Sequence, residues 1–195
     1  MSDKPRFPHA KAMALARKIV EELKPACMRI EIAGSLRRRK PDVGDIEILY
    51  IPRKTRVRDP QDLLGDVTIE VNAVDQILDA WLKAGRITKR PSEKGVTMWG
   101  ESNKLAVATA SGIPVDFFTA NGENWFSLLV CRTGSAKMNI ELASMANKNG
   151  WTWKVYAGGF ISDPNTLKER YIRRAHSERE VFELAGVTYR EPWER

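Results

Sequence analysis

Two carboxylates set one residue apart, Asp45 and Glu47, follow shortly after a Gly34-Ser35 dipeptide and the arginine run Arg37 to Arg39. In an extended chain, residues two apart share a face, so this spacing sets both acids side by side. Two such charges about 4 Å apart repel by roughly 4 kcal/mol at an effective dielectric near 20, and a divalent cation is the natural compensation. Magnesium takes oxygen ligands and commonly combines one or two carboxylates with phosphate oxygens. Gly34-Ser35 can grip such a phosphate. Glycine admits close approach of backbone N–H groups, Ser35 adds a hydroxyl, and the following residues can open a helix whose positive end faces an anion. Arg38 can meet the outer phosphates with a planar, bidentate guanidinium. Asp116, alone between Val115 and Phe117, is the candidate third carboxylate, placed to help hold a second metal and to draw a proton from an attacking hydroxyl. Singly, these features read as a solvent-facing strand, a plain turn and a basic surface run. Together they describe a two-metal, in-line phosphoryl transfer. No GxxxxGK[ST] loop occurs, and His9 and His176 have no partner set and read as surface residues.

The elements that must position these groups follow from periodicity. Ala12, Leu15, Ile19 and Leu23 recur at helical spacing from Pro8 to Lys24, where Pro25 stops the helix. Met28, Ile30 and Ile32 alternate with Arg29 and Glu31, predicting a strand with one buried face that ends at the Ala33-Gly34-Ser35 turn. Gly44 to Ile51 alternates again, with Ile46, Ile48 and Tyr50 on one face and Asp45 and Glu47 on the other. A helix is predicted over Asn72 to Lys83. Short strands follow up to Thr119 around turn signals at Glu93 to Gly95, Gly100 to Asn103 and Ser111-Gly112. Beyond Asn121 come a short helix through Trp125 and Leu128, a helix from Ala136 to Asn147 capped by Ser135, a strand over Trp151 to Tyr156, and a last helix opened by Ser177 and Glu180. The pattern is α+β, a mixed sheet backed by helices, with a boundary placed between 121 and 122. Trp81 and Trp125 lie in apolar periodic segments and read as core.

The whole chain is 195 residues, 43% apolar and 29% charged, enough for one compact unit or two small ones. No apolar run reaches membrane-spanning length, and Met1 to Ala10 is charged and proline-broken where a signal peptide needs an apolar core. Cys27 and Cys131 are far apart with no CxxC pattern, which argues against a disulfide framework or zinc site and for a reducing, cytoplasmic setting without membrane partners. A net charge of +7 makes a polyanionic partner worth testing. Lys168, Arg170, Arg173, Arg174 and Arg179 concentrate positive charge near the C-terminus, as sequence-independent, salt-sensitive DNA binding requires.

At these residues the chain resembles the nucleotidyltransferase superfamily and, more specifically, the palm and thumb of family X DNA polymerases. The resemblance runs from Ile30 through Lys40 into Gly44-Asp45. It continues at Val115-Asp116-Phe117, at Thr133-Gly134-Ser135 with Asn139, and at the closing Tyr189-Arg190-Glu191-Pro192. It implies a palm over 1–121 and a thumb over 122–195, in a minimal form without the lyase and fingers domains that precede the palm in longer relatives. It further implies that Asp45, Glu47 and Asp116 hold two Mg2+ ions, that Gly34, Ser35, Arg38 and Gly44 meet the triphosphate, and that Thr133, Gly134, Ser135 and Asn139 border the incoming nucleotide. The expected reaction is attack of a primer 3′-hydroxyl on the α-phosphorus, gap filling on DNA in repair by a monomer. Glu47 is one methylene longer than the usual Asp, so tolerance of Mn2+ is expected. Cys131 and Arg132 replace a common aromatic pair that senses the sugar, and Ala143 replaces a template-contacting arginine, from which low fidelity is expected. Template-independent or RNA-modifying nucleotide addition, and a catalytically weak DNA-end binding module, are the alternatives.

Overall fold

The fold was read from a computed structural model, which describes residues 5–59, 61, 67–92, 94–162 and 171–195. Its first elements are β1 (Phe7–Pro8), α1 (His9–Leu23), β2 (Cys27–Ile32), α2 (Gly34–Arg37), β3 (Asp42–Val43) and β4 (Ile46–Pro52). The hairpin of β5 (Lys54–Arg58) and β6 (Thr68–Asn72) follows. Next come α3 (Ala73–Lys83), β7 (Ile87–Lys89), β8 (Asn103–Ala108) and β9 (Ile113–Thr119). The C-terminal part holds α4 (Trp125–Thr133), α5 (Ala136–Lys148), β10 (Trp151–Lys154), β11 (Gly159–Ser162), β12 (Ile172–Arg173) and α6 (Glu178–Ala185).

A five-stranded sheet in the order β2-β4-β9-β8-β7 carries the candidate acids. It is mixed, because β4 and β9 run parallel while every other neighbour is antiparallel. One face packs Ile46, Ile48, Tyr50, Val115 and Phe117 against Ala12, Ala16, Ile19 and Leu23 of α1 and Leu78 and Trp81 of α3. The opposite face is covered further along the strands, where Leu49 and Phe118 meet Trp125, Leu128 and Leu129 of α4. β4 is therefore apolar on both sides near its end and acidic only near its start. A separate core, Met138, Leu142, Phe160, Val181 and Phe182, joins α5 and α6 to the small β10-β11-β12 sheet.

Local signals set the element ends. The side chain of Asn72 accepts from Val74 N at 2.9 Å to cap α3, and Ser135 and Ser177 cap α5 and α6. Three expectations need correction. Met28 is 69% exposed rather than inward, because the β2–β4 register slips between Cys27 and Arg29 and carries Met28 out of the alternation. The strand begun at Trp151 stops at Lys154 and gives way to a 3-10 turn over Val155–Ala157. The Glu180 carboxylate turns to His176 N at 2.6 Å, one residue short of the reciprocal capping-box contact. The expected turn signal at Glu93 lies outside the described residues. Trp81 and Trp125 are buried and His176 is exposed, whereas His9 is half-buried, its Nδ1 2.9 Å from the Lys40 carbonyl.

Candidate active site

Parallel pairing of β4 with β9 sets Glu47 directly across from Asp116. Paired residues on adjacent strands share a face, so the two acids, nearly seventy positions apart in the chain, become neighbours. Asp45 lies just before β4, and it lines with Asp116 a cavity of about 600 Å3 that also takes in Gly44, Arg90, Phe118 and Arg132. The Glu47 carboxyl turns instead under the Gly34 turn. Among the described residues no three His, Cys, Asp or Glu side chains converge into a set able to hold a metal as they stand. The donor chemistry nevertheless fits a hard cation. Burial, then the charge of Asp45, pushes the Glu47 carboxyl up to about 8, with Arg132 and Arg38 opposing. Burial also raises Asp116 to about 6 against the opposing pull of Arg90. All the donors these acids offer are oxygens.

Arg90 is the site residue that spacing alone does not reveal. Its Nη2 reaches both Asp116 oxygens, at 2.5 and 2.8 Å. It follows β7 in an ordinary Lys89-Arg90-Pro91 context, and only the β7-β8-β9 pairing brings it to the acid. Arg132 is the second cation here, with its guanidinium 3.7 Å from the centre of the Phe118 ring and hydrogen-bonded to the Tyr156 hydroxyl.

The Gly34-Ser35 turn becomes the single helical turn α2, too short to act as an extended dipole. Gly34 sits at φ 65°, and a Cβ built there would overlap Oε2 of Glu47. Glycine is required on both counts, so Gly34→Ala is expected to destabilise the fold by at least about 1–2 kcal/mol and to displace Glu47, read as a lower denaturation midpoint. Behind the turn, Arg38 donates through Nη1 to the Thr133 carbonyl, and Arg37 donates to Thr133 Oγ1 at 2.9 Å. The structure thus ties Arg37 and Arg38, which follow the Gly34-Ser35 turn, to Thr133 at the end of α4. Ser135 spends its hydroxyl on Met138 N at 3.2 Å as the cap of α5. Asn139 donates to the Cys131 carbonyl at 2.8 Å, while its Oδ1 is buried without a partner. A side chain on Gly134 would collide with that amide.

Of the candidate DNA-binding cations, Arg174 is paired with Glu123 at 2.9 Å, Arg173 lies over Trp151 and Arg179 over Tyr189. Lys168 and Arg170 lie outside the described residues. Among the described residues no helix is long and apolar enough to cross a membrane.

A mixed sheet with acids on neighbouring parallel strands, a glycine-serine turn beside them and a helical segment closing over both is the architecture of a nucleotidyltransferase palm joined to a thumb. Comparison with family models agrees: the DNA polymerase beta palm matches residues 5–104, and the DNA polymerase beta thumb matches residues 128–195. The chain belongs to this family X, polymerase-beta-type family. A search of curated proteins finds no match. Asp116 falls between the two matched segments, so its place beside Glu47 is carried by the strand register.

Proposed function

We propose that this chain is a DNA-directed DNA polymerase that adds deoxynucleotides to a primer 3′-hydroxyl, filling short gaps in repair. One observation supports it above the others: the parallel β4–β9 register sets Glu47 against Asp116, with Asp45 beside them and the Gly34 turn above. In this reading the palm spans 1–121 and the thumb 122–195. Asp45, Glu47 and Asp116 would hold two Mg2+ ions, with Mn2+ as a substitute. When bound, these ions supply Lewis-acid stabilisation of phosphate charge and lower the pKa of the attacking hydroxyl.

The chain's own groups do the rest. Backbone N–H groups of α2 and the Ser35 hydroxyl seat the outer phosphates, Arg38 neutralises them, and Gly44 leaves room beside Asp45. Thr133, Gly134 and Asn139 border the nucleotide, and Ser135 holds that border by capping α5. Asp116 accepts the proton of the 3′-hydroxyl once Arg90 has released its oxygens. Cys131, in place of a bulkier ring, relaxes the choice between ribose and deoxyribose, and Ala143 leaves the template loosely held, so fidelity is low.

The test is extension of a one-nucleotide-gapped duplex with Mg2+ or Mn2+, with deoxy- and ribonucleotides, and with and without template. Template-directed addition of one nucleotide is the expected result. Addition indifferent to template moves the assignment to a terminal or RNA-modifying transferase, and DNA binding without any addition moves it to a DNA-end binding module. Mg2+ is also expected to raise the melting temperature. Saturation at a hundred times the dissociation constant is worth about 2.7 kcal/mol, and an unchanged melt in chelator and in Mg2+ would count against a metal site.

A further inference from the structure

A second concave site, sharing no lining residue with the carboxylate cavity, lies between α1 and α2. It is a hollow of about 440 Å3 lined by His9, Met13, Arg17, Leu36, Arg37 and Arg39. We infer that it binds a phosphate group of a nucleic-acid strand, held by Arg17 and Arg39. The inference rests on the proposed DNA substrate and assigns one place where that substrate is gripped.

Charge carries the argument first. Four of the six lining residues are arginine or histidine, and none is acidic. Arg37 is committed to Glu178 and Thr133, which fixes that wall of the hollow. Arg17 and Arg39 form no ion pair with a carboxylate among the described residues. Two guanidiniums facing one concavity without a counter-charge are a poor arrangement unless an anion completes it. His9 completes the wall of the hollow. Its Nδ1 lies 2.9 Å from the Lys40 carbonyl, which can only accept, so Nδ1 donates there and the ring is held in place.

Backbone geometry is the second line. Arg39 sits at φ 57°, the one non-glycine residue in the left-handed region among those described. Its guanidinium is held 4.3 Å from the centre of the Trp193 ring. A bulky residue kept in that conformation, with its head fixed by a cation–π contact, is pre-aimed rather than free to swing. Met13 and Leu36 give the hollow an apolar side, where a charged contact is screened less than on open surface. The rim is open, with Arg17 and Arg39 exposed and His9 half-buried, as a ligand belonging to a long strand requires. Because Arg37 bridges to Thr133 and Glu178, the hollow abuts the seam between palm and thumb, where a strand crossing both would pass.

Phosphate can come from a strand terminus or from within the backbone, and the measurement separates them. Binding of a labelled gapped duplex, with the downstream strand either 5′-phosphorylated or 5′-hydroxyl, is followed by anisotropy across a salt series. The intact chain is compared with Arg17→Ala/Arg39→Ala. The double variant is expected to bind at least about tenfold more weakly at low salt, and its slope of log affinity against log salt is expected to fall by about 2. Loss confined to the phosphorylated duplex assigns a terminal phosphate, and equal loss on both assigns a backbone diester. Lys83→Ala/Lys148→Ala removes the same charge elsewhere and is expected to have less than half the effect. Arg17→Lys/Arg39→Lys, which keeps the charge, is expected to retain most of the binding and guards against misfolding, as does a melt of each variant. Unchanged binding and slope in the alanine variant, or an equal loss in the remote control, overturns the inference. An intact chain that extends primers while the alanine variant binds normally removes the hollow and leaves the polymerase. A chain that extends nothing, yet loses salt-sensitive binding in that variant, does the reverse. Failure of the intact chain to bind DNA at all overturns both.

Discussion

Asp116→Asn is expected to lower nucleotide addition by roughly a thousandfold or more, while the metal-free variant is expected to melt no lower than the unmutated chain at neutral pH. The loss of activity follows from removing the carboxylate that both proposed roles need, cation ligand and proton acceptor. The melting result follows from linkage. Burial holds the Asp116 carboxyl at about 6 against an ordinary value of 3.8, in spite of Arg90. Between those two values the unfolded chain has given up its proton and the folded chain still holds it, so stability falls by about 1.4 kcal/mol for each pH unit climbed. At neutral pH the ionised Asp116 is a net cost to the fold. Asparagine removes the charge and keeps one oxygen for Arg90. Glu47, raised to about 8, carries the same sign over a wider window. Primer extension and melts in chelator, from pH 5 to pH 8, check both halves. A variant that stays active, or one that melts well below the parent at neutral pH, contradicts the site as drawn.

Glu178→Ala is the expected largest loss of stability. Glu178 at the start of α6 binds Arg37 of α2 and Arg195 near the C-terminus, the latter at 2.9 Å with its side chain fully buried. Removing the acid strands a buried guanidinium that already has one unsatisfied nitrogen, Nη2, and such a break costs about 3–5 kcal/mol. For a chain of this length that is a fall of roughly 6 to 20 °C in melting temperature. The hydrogen bond and charge of Arg37, with help from Arg195, outweigh burial and hold the Glu178 carboxyl below its usual range. A depressed acid stabilises the fold above its unfolded pKa and loses that contribution as pH falls through the folded value. The difference between parent and Glu178→Ala is therefore full at neutral pH and shrinks below about pH 4.5, the ordinary value for glutamate. The same triad ties α2, which carries the Gly34-Ser35 turn, to the thumb. The variant that still folds is therefore expected to need more nucleotide for half-maximal rate, and an unchanged KM would separate stability from positioning.

The helices and caps were legible because their signals are local. Ala12, Ile19 and Leu23 recur at the helical period and face the core, and Asn72, Ser135 and Ser177 accept the amide hydrogens that helix starts leave unpaired. Met28 misled because a register slip is a property of two strands and leaves no mark on the alternation of one. Arg90 was invisible for a related reason: its partner lies 26 residues away and two strand pairings intervene.

Residue type and spacing alone determined the chemistry on offer: a glycine able to adopt φ 65°, arginines behind it, and two acids two positions apart on an extended chain. The tertiary structure decided the rest. It chose the parallel β4–β9 register that pairs Glu47 with Asp116, turned Glu47 under Gly34 and left Asp45 facing the cavity, and set Arg90 on Asp116. The division has a physical cause. Backbone preference and helical period act over a few residues and are written in the local sequence. Register, burial and the charge each acid meets arise only when distant segments pack and exclude water.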